Sequence, residues 1–142
     1  MNKNWLNIVR AIMLENLAEY SIDAKTGITI SEVIDSIILQ KDKFTGNLTF
    51  EEEDELKENE LAIPLFLKEY GLIYNFDRTK IEEEPFLLTP KGINFAENIR
   101  NERRWNQILN TLDELDIYSL AAVEIVVQEQ IKKQMRQVKI NF

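Results

Sequence analysis

YGLIYNFDRTKIEEEPFLLTPKGINFAENIR, residues 70–100, is the stretch that decides the fold. Gly71 follows an apolar helical pattern ending at Tyr70, and only a residue without a Cβ takes the left-handed position there without strain. Leu72, Ile73, Tyr74, Asn75 and Phe76 are apolar and β-favouring, Asp77, Arg78, Thr79 and Lys80 form a polar break, and Pro85, Phe86, Leu87 and Leu88 run back. Pro85 suits the first position of a strand or a sheet edge. Thr89 offers its side-chain oxygen as an N-cap, and Pro90 stands at the first helical position, where the missing N–H is no loss. A hairpin held between two helices is a wing.

Upstream of it, Trp5, Ile8, Val9, Ile12, Met13, Leu17 and Tyr20 recur at helical steps, with Asn7, Arg10, Glu15 and Glu19 assigned to other faces. Residues 21–27 connect to Ile28, Thr29 and Ile30, a β-branched run expected to add an edge strand to the wing. Ser31 is the expected cap of a second helix reaching Gln40, with Val33, Ile34, Ile37 and Ile38 inward, and residues 45–47 are a turn. Thr49 and Glu52 have capping-box spacing, so the acidic run from Glu51 begins a third helix, where the helix dipole favours negative charge. Leu56, Ile63, Phe66, Leu67 and Tyr70 carry the stripe on, and Pro64 predicts a kink or two abutting helices near Ala62.

Downstream, Ile93, Phe95, Ala96 and Ile99 face inward, Gly92 allows close backbone approach, and Trp105, Ile108, Leu109 and Leu112 follow in a continuing or broken helix. A last helix starts near Ser119. Leu120, Val123, Val127, Ile131, Met135 and Val138 form a near-heptad seam expected to pack on the first helix or on a second copy of the chain. Leu120, Val123, Val127, Ile131 and Met135 are its candidate dimerisation residues.

Among 142 residues there is no Cys and no His, which removes disulfides, thiolate nucleophiles and imidazole bases or ligands. The four glycines stand apart, so no glycine-rich phosphate loop exists, and no carboxylate pair is recognisable as acid and base. No enzymatic activity, cofactor or metal is expected. No apolar run reaches the roughly 18 residues of a membrane span, and the start lacks a leader pattern, so the expected location is cytoplasmic.

The formal charge of −8 is unevenly placed. Residues 1–50 carry 5 basic and 6 acidic groups, residues 51–99 carry 5 and 13, and residues 100–142 carry 7 and 6, so the whole excess lies in the middle third. Glu51, Glu52, Glu53, Asp54, Glu55, Glu58 and Glu60 face only Lys57 between positions 51 and 60. Three readings stand: a solvated helix start, a docking surface for a basic partner, or a mimic of nucleic-acid charge. The spacing matches no calcium or magnesium loop. Arg100, Arg103, Arg104, Lys132, Lys133, Arg136 and Lys139 would form a basic patch if the last two helices align; internal pairs such as Glu129 with Lys132 and Lys133 are the favoured alternative.

Helix, short strand, helix, helix, hairpin, helix is the order of a winged helix-turn-helix domain. Tyr70, Gly71, Leu72 and Ile73, then Leu88, Thr89, Pro90, Lys91 and Gly92, then Phe95, Ile99, Arg100 and Trp105, resemble the closing half of a family of small winged-helix proteins of bacteria and prophages, over about residues 56–112. The resemblance implies the fold and a phage or mobile-element origin. It supplies no functional residues. The expected fold class is therefore mainly α with a small β-hairpin: a winged helix-turn-helix domain over 1–112 and a C-terminal helical extension over 113–142 for packing or dimerisation.

DNA-reading winged helices present Arg, Lys, Asn or Gln to base edges from the third helix. Seven carboxylates at about 10 Å from phosphates would instead oppose docking by about 3 kcal/mol at low salt. The expected function is non-enzymatic binding of a basic or nucleic-acid-binding protein through the acidic surface, as a nucleic-acid mimic inhibiting a host or defence enzyme. The alternative is a dimeric transcription regulator that contacts DNA with Arg78 and Lys80 of the wing.

Overall fold

The computed structural model describes residues 1–22, 28–39, 48–74 and 85–140. They form α1 (Lys3–Ile22), α2 (Ile30–Leu39), α3 (Phe50–Glu58), α4 (Ala62–Glu69), β1 (Ile73–Tyr74), β2 (Leu87–Leu88), α5 (Pro90–Ile99), α6 (Glu102–Leu115) and α7 (Leu120–Ile140). The protein is mainly helical with one small antiparallel sheet, in which Ile73 pairs with Leu88 and Tyr74 with Leu87. The hairpin tip with Arg78 and Lys80, the connection at 23–27 and the turn at 45–47 lie outside the described residues.

Gly71 closes α4 at φ +86°. Its N–H donates to the Lys68 carbonyl at 3.0 Å and the Leu72 N–H to Leu67 at 2.9 Å, the paired bonds of a Schellman cap. Leu72 in turn receives the Thr89 N–H at 3.0 Å, so the end of α4 and the start of α5 are tied together. Thr89 Oγ1 donates to the Gly71 carbonyl at 2.5 Å and accepts the Gly92 N–H at 2.9 Å, with Pro90 opening the helix. The first turn of α5 lies so close to Leu72 that a Cβ on Gly92 would stand 2.1 Å from the Leu72 carbonyl oxygen.

A third segment touches the hairpin. Ile28 and Phe86 exchange backbone hydrogen bonds at 3.1 and 2.9 Å, a single antiparallel bridge where the β-branched run predicts an edge strand. Ile30 already belongs to α2, and the cap is Thr29, not Ser31. Thr29 Oγ1 accepts the Glu32 N–H at 3.2 Å and donates to Glu32 Oε1 at 3.1 Å, the same three-residue spacing as Thr49 and Glu52. Ser31 Oγ donates to Glu60 instead.

Pro64 does separate two abutting helices: α3 ends at Glu58, and Pro64 falls in the first turn of α4, where no intrahelical donor is lost. Asn101 breaks α5 from α6 by accepting the Arg104 N–H at 2.9 Å. One apolar core runs from Leu6 to Val127, with α1 packed against α2, α3, α5 and β2. Leu120, Val123 and Val127 of α7 belong to it, and a boundary between 112 and 113 would cut through α6. Within the chain, helix α7 packs on α5 and α6, whereas the first helix was the intrachain partner expected. Among the described residues no helix is long and apolar enough to cross a membrane.

Gly92→Ala should therefore lower stability by about 1–3 kcal/mol through overpacking on backbone. Gly71→Ala should cost about 1 kcal/mol through left-handed strain alone. Urea denaturation of both variants checks the order; a Gly92→Ala midpoint equal to that of the parent would contradict the close approach.

Candidate functional site

Helix α3 sorts its carboxylates by face. Thr49 Oγ1 accepts the Glu52 N–H at 3.1 Å while the Thr49 N–H donates to Glu52 Oε1 at 3.0 Å, completing the capping box. The other oxygen of Glu52 accepts from Asn7 Nδ2 of α1 at 2.8 Å. Glu52 is 4% exposed and Glu53 6%, and Leu56 is fully buried. Positions 52, 53 and 56 are thus the buried side of α3, with Glu52 fastened to α1 through Asn7. Of the seven carboxylates expected to form one docking surface, Glu52 and Glu53 are turned into the protein. Glu55 and Glu60 are half-buried, Glu55 Oε1 taking a hydrogen bond from Asn4 Nδ2 at 3.0 Å and Glu60 one from Ser31.

Glu51, Asp54 and Glu58 remain exposed. Their spacing of three and four residues places them on one side of the helix, along about 10 Å of its axis. Lys57 is exposed beside them, and Phe50 and Leu61 are exposed at the two ends. This stripe is the acidic surface that α3 offers.

Polar groups of α1 hold the helices around it. Asn4, Asn7 and Arg10 stand three residues apart; Asn7 and Arg10 are two of the residues the helical pattern assigns to other faces, and Asn4 and Asn7 are the two that reach α3. Asn7 Oδ1 accepts from the Trp105 indole at 2.9 Å while its Nδ2 serves Glu52. Arg10 is 3% exposed, donates through Nε to the Ile99 carbonyl at 2.9 Å and through Nη2 to the Arg100 carbonyl at 3.0 Å, and lies 5.6 Å from the centre of the Trp105 ring. It thereby takes up carbonyls that the end of α5 leaves open. Burial pulls the Arg10 guanidinium below its ordinary value, and the nearby charge of Glu102 works against that.

The seam of α7 is divided. Leu120, Val123 and Val127 lie inside the core and are not available to a partner, Ile131 is half-buried, and Met135 and Val138 are exposed. The dimerisation set of five thus shrinks to Ile131 and Met135, because α5 and α6 already cover the first half of the helix. On the α5 side, Tyr70 donates to Glu124 Oε2 at 2.8 Å, and Lys91 Nζ sits 4.1 Å over the Tyr70 ring while donating to the Tyr70 carbonyl. Burial, followed by the bond to Glu124, pushes the Tyr70 phenol up to about 12.

The last two helices do align. Arg104 Nη2 donates to Gln134 Oε1 at 3.1 Å, and Arg103, Arg104 and Lys133 line one groove between α6 and α7. Arg100 and Lys132 are drawn into local pairs with Glu97 and Glu129 at 3.6 Å. These five basic residues are therefore of two kinds, surface pairs and groove walls; Arg136 is exposed, and the side chain of Lys139 lies outside the described residues. Among the described residues no group of three or more acidic side chains converges to hold a metal ion.

No protein-family model matches this chain, nor does any curated protein or solved structure.

Because Glu52 caps α3 and anchors it to α1, Glu52→Ala should cost about 1–3 kcal/mol. Glu51→Ala, one residue away on the outward face, should change stability by less than about 0.5 kcal/mol. Thermal and urea unfolding of the two variants measure the contrast, and equal effects would contradict the division of faces.

Proposed function

We propose that this chain is a winged helix-turn-helix protein that works by binding and not by catalysis. The hairpin between α4 and α5, with Ile28 bridged to Phe86 just before β2, supports the fold assignment. Its working surface is the outward stripe of α3, Glu51, Asp54 and Glu58, which engages a basic site on another protein. A protein whose groove accepts nucleic acid is the partner class that such a stripe fits, since carboxylates in a row reproduce the charge that a phosphate-binding groove attracts. The resemblance to prophage winged-helix proteins supports a phage-derived inhibitor of a host or defence enzyme.

One observation carries this reading. Across α3 and α4, where a DNA-reading winged helix offers Arg, Lys, Asn or Gln, the exposed charged groups are Glu51, Asp54, Glu58 and Glu69 with Lys57 and Lys68. The competing regulator would rely on Arg78 and Lys80 of the wing and on a dimer seam already half occupied within the chain.

Glu51→Lys, Asp54→Lys and Glu58→Lys together should leave the circular dichroism spectrum unchanged, because all three side chains are exposed. The expected outcome in affinity purification from the native host is capture of a basic protein by the parent, displaced by added duplex DNA, and weaker by at least about tenfold for the triple variant. Unchanged capture by the triple variant would sink the proposal. Binding of the parent to duplex DNA at about 50 mM salt, with a steep loss as salt rises, would replace it with the regulator.

A further inference from the structure

Helices α6 and α7 run antiparallel, joined through residues 116–119 at one end and linked by Arg104 and Gln134 near the other. Between them lies an open groove of about 980 Å³. Its walls are graded along its length. Leu115, Ile125 and Val126 make one end apolar, and Leu115 and Ile125 are exposed despite their size. Arg103, Arg104 and Lys133 make the other end basic. Gln107, Gln130, Gln134 and Gln137 lie among them, and the Gln130 side-chain oxygen is enclosed without a hydrogen-bond partner.

Three properties of an occupant follow. It carries negative charge, because the groove sets three cations against Glu129, which Lys132 already approaches at 3.6 Å. It carries hydrogen-bonding groups, because the side-chain amides of Gln107, Gln134 and Gln137 line the walls. It carries an apolar side chain at one end. A single nucleic-acid strand meets the first two, but strands are held by stacking bases on aromatic rings, and among the described residues no aromatic side chain lines this groove. A peptide backbone supplies N–H and C=O groups that glutamine amides match, and acidic side chains supply the charge. From Ile125 to Gln137 the groove follows about 18 Å of helix, room for about five extended residues.

We infer that the α6–α7 groove binds a short extended peptide of another protein, with an apolar residue against Leu115 and Ile125 and acidic residues against Arg103, Arg104 and Lys133. The site is separate from the α3 stripe and of opposite charge. A chain with a net charge of −8 thus keeps a local basic slot selective for acidic segments.

An array of immobilised hexapeptides of varied composition, probed with the full chain at physiological salt, tests this. Retention should concentrate on peptides with two or more acidic residues and one terminal Leu, Ile or Phe. Arg103→Glu with Lys133→Glu should weaken it by at least about tenfold. Ile125→Asp, a substitution at an exposed position, should remove the preference for the apolar residue even if the charge-reversed variant fails to fold. The α3 triple variant should bind the array as the parent does, so failure here and failure of the proposed function are distinguishable. Retention that ignores acidic content, retention unchanged in both groove variants, or tighter binding of a fluorescein-labelled fifteen-nucleotide single strand would each overturn the inference.

Discussion

Asn7 uses both ends of one amide. Its nitrogen reaches Glu52 at 2.8 Å and its oxygen receives the Trp105 indole at 2.9 Å, so α1, α3 and α6 meet through a single side chain. Glu52 is at the same moment the capping partner of Thr49, so where α3 begins and where it lies are set by the same carboxylate. Asn4 and Arg10, three residues to either side, extend the contact to Glu55 and to the carbonyls ending α5. Apolar burial drives α1 into the centre, and this polar row fixes the rotation of its neighbours, since a buried polar group tolerates only orientations that satisfy it. The rotation of α3 is what divides its charges into an inward and an outward set.

Much of the fold was legible because its decisive signals are short-range. Gly71, Thr89, Pro90 and the Thr49–Glu52 pair act over three to five residues, and their geometry is the one their chemistry requires. The close approach at Gly92 was legible too, because a glycine in the first turn of an otherwise ordinary helix calls for a reason. Thr29 was mistaken for strand and Ser31 for the cap because a β-branched run and a capping box overlap there; the Glu32 three residues after Thr29 was the distinguishing sign.

The candidate site was only partly legible. Periodicity separates polar from apolar faces, but it does not tell water from a polar neighbour, so it places Asn7 and Arg10 off the apolar stripe without showing what they meet. The available clue was that α1, twenty residues long, carries too few charges to make a solvated side. For the acidic run, Leu56 was correctly expected inward, and its helical neighbours at 52 and 53 follow it. The α7 seam is recognisable as apolar, but not how much of it the chain itself covers, because that depends on the length of α6 and on where α5 lies. The groove between α6 and α7 depends on the alignment of two helices that no local signal specifies.

On this account the net charge of the protein is the least informative of its electrostatic properties. Charge is sorted by position: inward carboxylates hold α3, outward ones are free to meet a partner, and a basic slot lies elsewhere on the same chain. Carbodiimide-driven amine labelling of the folded protein, read residue by residue in a mass spectrometer, tests that sorting most directly, with Glu51 and Glu52 as adjacent internal controls. Rapid labelling of Glu51, Asp54 and Glu58 with Glu52 and Glu53 protected until the chain is denatured is the predicted result; equal labelling along the run from Glu51 to Glu58 would contradict it.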